Sequence, residues 1–143
     1  MSHTVSIKDV DIVNVSALKA AVREMQQKGV SCELLENVVP KAYYNNQAGM
    51  DTAAEFVLRS EQSPYDVGFY KTQNAQGKTV YEPRTDTFGG HINRLYGNAK
   101  SHLGKLTQLY SVHAVTQQAV RQGYRVQRKE QQDGTITLSV VGG

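Results

Sequence analysis

Two stretches of this sequence repeat apolar residues every three to four positions, and neither is apolar all round. Leu18, Ala21, Val22 and Met25 make the first stripe. In the second, Leu103, Leu106, Leu109, Tyr110, His113 and Val120 fall within an arc of about 120°, and Lys105, Thr107, Gln108, Ser111, Gln118 and Gln122 lie outside it. A helix of this length is marginal alone in water and must lay its stripe on another layer. The ends are punctuated. Asn14 can cap the first helix by accepting an orphan backbone N–H, and Gly29 and Gly123 suit the left-handed residue that follows a helix. The spacing predicts helices over Val15–Lys28 and Leu103–Gln122.

What the helices must cover is a set of short strands. Val5–Ile12 reads as extended, as do Ser31–Val39 before Pro40 and the apolar run Ala54–Leu58. Tyr65–Thr72 and Thr79–Arg84 read as a hairpin about Asn74-Ala75-Gln76-Gly77. Asn45–Gly49 reads as a loop, and Tyr124–Glu130 with Thr135–Val141 as a closing hairpin about Asp133-Gly134. The order β, α, several β, α, β, β predicts an α+β fold with two layers, both helices packed on one face of a mostly antiparallel sheet. A chain of 143 residues suits one such domain, spanning residues 1–143.

The last hairpin carries a register problem. A two-residue turn at Asp133-Gly134 would split Val126 from Ile136, Leu138 and Val140 across both faces. A three-residue loop, Gln132-Asp133-Gly134, pairs Val126 with Val140, Arg128 with Leu138 and Glu130 with Ile136, and so gathers the apolar residues. Burial should win, with Gly134 left-handed in a bulge.

Composition narrows the function classes. Cys32 is the only cysteine, which excludes an internal disulfide and fits a reducing compartment. No leader pattern opens the chain and no run approaches the roughly 20 apolar residues of a membrane span, so the cytoplasm is the expected location. His3, His91, His102, His113, Asp86 and Cys32 show no ligand spacing, and there is no phosphate-loop motif; neither metal nor other cofactor is expected. His113, inside the second apolar stripe, reads as a partly buried core histidine with one hydrogen bond.

Two segments are left as candidate sites. Asp86, Gly89, Gly90, His91 and Arg94 form the first. Paired glycines after a strand either turn the chain into the next helix or offer their N–H groups to an anion beside Arg94. At least one should have positive φ, and His91 should be partly exposed. The second is basic: Arg121, Arg125, Arg128 and Lys129. A basic strand beside Tyr124 suits weak nucleic-acid binding, and equally an edge protected by charge. The net charge of +3 permits the former without demanding it.

Several short motifs together resemble a family of small uncharacterised proteins, found as an open reading frame in red-algal plastids and cyanobacteria with bacterial and phage relatives. They are Met1-Ser2-His3 before a strand, Tyr65-Asp66-Val67-Gly68-Phe69, Asp86–Gly90, Leu106–Tyr110, and Ala119-Val120-Arg121-Gln122-Gly123-Tyr124. The resemblance implies no assigned activity and a frequent neighbour, an ATPase of the AAA type. The expectation is therefore a non-catalytic protein-binding or adaptor module, accessory to such an ATPase. The alternative is a weak nucleic-acid-binding protein that uses the basic hairpin.

Overall fold

The computed structural model describes residues 4–6, 11–43, 49–97 and 103–142, the first three as backbone alone. Its elements are β1 (Thr4–Ser6), α1 (Val15–Gln27), β2 (Glu33–Val38), β3 (Ala54–Arg59), β4 (Val67–Gln73) and β5 (Thr79–Asp86). A 3-10 turn at Phe88–Gly90 leads to α2 (His91–Tyr96), α3 (Gly104–Arg121), β6 (Arg125–Glu130) and β7 (Ile136–Val141). Strands β2 to β5 form a meander, and β1 joins beside β5, giving a five-stranded antiparallel sheet in the order β1-β5-β4-β3-β2. The fold is α+β.

Register decides which residues the helices cover. Leu34 pairs with Leu58, Leu58 with Val67, and Phe56 with Phe69, so all five side chains point to one face. Phe56, Leu58, Val67 and Phe69 share a single core with Leu18, Val22 and Met25 of α1 and Leu106, Leu109 and Tyr110 of α3. Both helices thus lie on the same face, as their stripes require. Asn14 caps α1 by accepting the Ala17 N–H at 2.9 Å. Its backbone N–H and that of Val13 donate to the Tyr110 hydroxyl at 3.0 and 2.9 Å, which ties α1 to α3.

Four expectations need correction. The first strand is shorter than Val5–Ile12: the strand is Thr4–Ser6, residues 7–10 lie outside the described set, and Ile12 is buried without strand structure. Second, α2 was not anticipated. It is one short helix after the glycines, and it buries Ile92 and Tyr96. Third, Val120 is 58% exposed whereas Thr107 is buried. The Thr107 hydroxyl donates to the carbonyls of Leu103 and Gly104, which lets a polar residue enter the core, and Val120 sits in the last turn of α3. Fourth, β6 and β7 pair only with each other, as a separate two-stranded sheet, where one continuous sheet was expected.

The closing hairpin has the register that burial demanded. Val126 pairs with Val140, Arg128 with Leu138 and Glu130 with Ile136. The Gly134 N–H donates to Gln131 O at 3.1 Å and the Gln131 N–H to Thr135 O at 2.8 Å, with Gly134 at φ 89°. The loop therefore has three residues and a left-handed glycine. Most of Asn45–Gly49 lies outside the described residues, and Gly49 itself has φ 66°.

Candidate functional site

The other face of the sheet is where the chain places its buried charges. Val57, Tyr70 and Ala54 make a second, smaller apolar cluster with Met50, and Leu35, Val38 and Ala42 pack against it. The chain between β2 and β3 folds over this face. Pro40 comes so near that a Cβ on Gly68 would meet its Cγ at 2.9 Å, so only glycine fits at that point of β4.

Two aspartates hold this connection down. Asp66 precedes β4 and Asp86 ends β5; one step inside them Val67 pairs with Thr85, which puts both carboxylates at the same end of the sheet. Both residues are 0% exposed. Asp66 Oδ2 accepts the Lys41 N–H at 2.9 Å, while the Asp66 N–H donates to Lys41 O at 2.8 Å. Asp86 Oδ2 accepts the Tyr43 N–H at 3.0 Å, and its Oδ1 accepts the Phe88 N–H at 3.0 Å. The two carboxylates grip backbone N–H groups two residues apart. Burying them costs free energy that these bonds must offset.

Asp66 has a partner charge and an unused atom. Arg59 donates to Asp66 Oδ2 from Nε at 3.0 Å and Nη2 at 2.8 Å. Among the described residues Oδ1 receives nothing, and neither does the buried hydroxyl of Tyr96. Burial pushes the Tyr96 phenol well above its ordinary pKa, and the nearby Cys32 and Asp66 push it further. Burial also raises the Cys32 thiol, which disfavours its nucleophilic thiolate form. Asp86 sits beside Tyr65, whose pKa is raised first by burial and then by Asp86 and Tyr43.

The sequence-predicted segment lies next to these groups. Gly89 and Gly90 have φ 77° and 74°, so both are left-handed, and Gly90 precedes α2 directly. His91 is partly exposed, as expected. Its ring stands edge-on to Tyr65 with centroids 6.2 Å apart. Arg94 Nη2 lies 2.8 Å from His91 Nδ1, so the guanidinium donates and the imidazole accepts, and Arg94 Nη1 donates to Gly89 O at 3.2 Å. Asp86 is thus a buried strut, whereas His91 and Arg94 form a surface pair folded back over the glycines. Lys41, Tyr43, Arg59, Tyr65, Asp66 and Tyr96 were all missed as members of this cluster. The Tyr65–Phe69 and Asp86–Gly90 motifs carried the only signal, since the fold brings them side by side.

The basic segment divides in two. Arg125 and Lys129 point outward from β6 with Gln127, and they and Arg121 are exposed. Arg128 points the other way, onto α1. It donates to Glu24 Oε1 at 2.9 Å and to Glu130 Oε1 at 3.1 Å, and also to Glu24 Oε2. His113 Nε2 donates to Glu24 Oε1 at 2.8 Å, and Lys28 pairs with Glu24 at 3.1 Å. Hydrogen bonds from Arg128, then His113 and Lys28, outweigh burial and hold the Glu24 carboxyl at a pKa of about 2. Arg128 is a fastener for the hairpin. His113 fulfils the bland expectation, a core-edge histidine with one bond.

Among the described residues no three His, Cys, Asp or Glu side chains gather as a metal would require, and no helix is long and apolar enough to cross a membrane. Fold and site together define a small α+β protein whose defining feature is a pair of buried aspartates clamping a long connection over its sheet. A family model described as a protein of unknown function (DUF1257) matches residues 25–139, and the chain belongs to that family. No curated protein and no solved structure matches it.

Proposed function

We propose that this chain is a non-catalytic, cytoplasmic protein-binding module that meets its partner with the β6–β7 hairpin, and that the partner is an ATPase of the AAA type. The observation that carries the reading is apolar surface at the open end of the hairpin: Tyr124 is 42% exposed, Val140 51%, and Val120 at the end of α3 58%. Among the described residues neither β6 nor β7 has a second strand neighbour, so within that set each leaves one edge of backbone groups open. An isolated two-stranded sheet is marginally stable alone, and here Glu24 fastens it from beneath. Exposed apolar residues beside open strand edges are a feature of partner surfaces. The ATPase assignment rests on the family resemblance. A pull-down with mass spectrometry, run before and after nuclease treatment, tests both parts. The ATPase should be captured by the unmodified chain and lost with Tyr124→Ala plus Val140→Ser. Capture unaffected by that double substitution refutes the hairpin surface, and absence of an ATPase refutes the assigned partner.

A second reading is favoured by one observation. Arg121, Arg125 and Lys129 are exposed, and none is in an ion pair among the described residues. A weak nucleic-acid-binding role would use them for phosphate contacts. Arg125→Ala with Lys129→Ala should then weaken binding alike for all sequences and flatten its salt dependence. No binding by the unmodified chain at low salt ends this reading.

A further inference from the structure

An open groove of about 770 Å³ lies where the start of α1, the β4–β5 turn and the end of α3 meet. Val13 and Ala114 supply half-buried apolar floor, Gln118 and Gln122 stand exposed at its side, and Lys78 and Arg121 bring positive charge. Among the described residues no carboxylate lines it. Lys78 comes from the hairpin turn and Arg121 from the far end of α3, so the fold alone brings them together. Neither makes an ion pair among the described residues, and the side-chain amides of Gln118 and Gln122 are likewise unspent. The asymmetry extends along the chain, because no Asp or Glu occurs between Asp86 and Glu130.

A groove of this size is within the usual range for small-molecule sites, roughly 300–1,000 Å³. Two cations that have neither an ion-pair partner nor a competing carboxylate among the described residues select an anionic head group, and Arg in particular forks onto phosphate oxygens. Free carboxamides offer a donor and an acceptor each, which matches the edge of a hydrogen-bonding ring better than an aliphatic tail. The apolar floor takes the ring's face. We propose that this groove binds a small phosphate-bearing ligand with a heterocyclic body, of the nucleoside monophosphate class. The groove shares Arg121 with the basic surface of the second reading, but its other lining residues lie outside the β6–β7 hairpin, and it stands whether or not that hairpin has a protein partner.

The test is a titration of the full chain, labelled with nitrogen-15, with adenosine monophosphate, followed through backbone amide shifts. Saturable shifts are expected at Val15, Lys78, Thr79 and Gln118 with a dissociation constant below about 1 mM. Lys78→Ala and Arg121→Ala, both at exposed positions that leave the core untouched, should each weaken binding about tenfold, the usual effect of losing a charge-assisted hydrogen bond. Adenosine alone and inorganic phosphate alone should each bind at least about tenfold more weakly, because each fills half the site. No shifts through about 10 mM nucleotide overturns the proposal. So do shifts that survive both substitutions, or shifts confined to Arg125 and Lys129. Equal binding by phosphate alone overturns the heterocyclic body.

Discussion

Replacing Tyr96 with phenylalanine should make this protein more stable, the reverse of what removing a buried hydroxyl usually does. Tyr96 is 1% exposed, and its ring packs in the main core with Ile92 and Leu103. Among the described residues its hydroxyl has no hydrogen-bond partner. In the unfolded chain that hydroxyl is solvated, so folding strips it of water and returns nothing. Mutational data put such a loss at about 1–3 kcal/mol. Tyr96→Phe keeps the ring and deletes the penalty, and a gain of about 1–2 kcal/mol is expected after allowing for slight relaxation around the vacated oxygen. For a chain of this size that is a rise in Tm of roughly 3–6 °C. Tyr110→Phe is the matched control. The Tyr110 hydroxyl accepts the Val13 and Asn14 N–H groups at 2.9 and 3.0 Å, so its removal orphans two donors and should cost about 1–3 kcal/mol. Urea unfolding with unchanged m-values reads both. If Tyr96→Phe loses more than about 0.5 kcal/mol, the hydroxyl has a partner in the folded protein and the reasoning fails.

The remaining expectations concern other parts of the fold. Glu24, held at about pKa 2 against an ordinary 4.5, should contribute stability that is complete above about pH 5 and is lost as pH falls toward 2. Acid titration of Glu24→Gln should show a shallower decline over that window, and equal slopes would remove the carboxylate from the account. Leu18→Ala and Leu106→Ala, both 0% exposed, should each cost about 2–5 kcal/mol by chemical denaturation. Gly134→Ala should cost about 1–2 kcal/mol, since nothing lies near a new Cβ and only the positive φ of 89° opposes it. In Asp86→Ala, hydrogen exchange should speed up at the Tyr43 and Phe88 amides while the α1 amides keep their protection.

Local physics alone determined several features of this protein. Asn14 caps α1, the stripe from Leu18 to Met25 faces inward, and the Asp133-Gly134 loop takes the longer form because burial outranks the simpler turn. These follow from spacing and backbone conformation, which residues a few positions apart settle among themselves. The double glycine before α2 was legible in the same way, as a place where φ must be positive. Tertiary structure decided the rest. Asp86 looks like a surface candidate in sequence, yet it is buried and holds the Tyr43 amide across 43 positions. Asp66 stands in the Tyr65–Phe69 motif, but nothing in that motif gives it a role, which comes from Lys41 and Arg59 converging on it in the fold. Arg128 reads as one of four basic residues, and only the docking of the hairpin on α1 separates it from Arg121, Arg125 and Lys129 by giving it Glu24. A carboxylate's role depends on which donors reach it, and those donors lie far away in the chain. Their arrival depends on sheet order and helix packing, which no local pattern encodes.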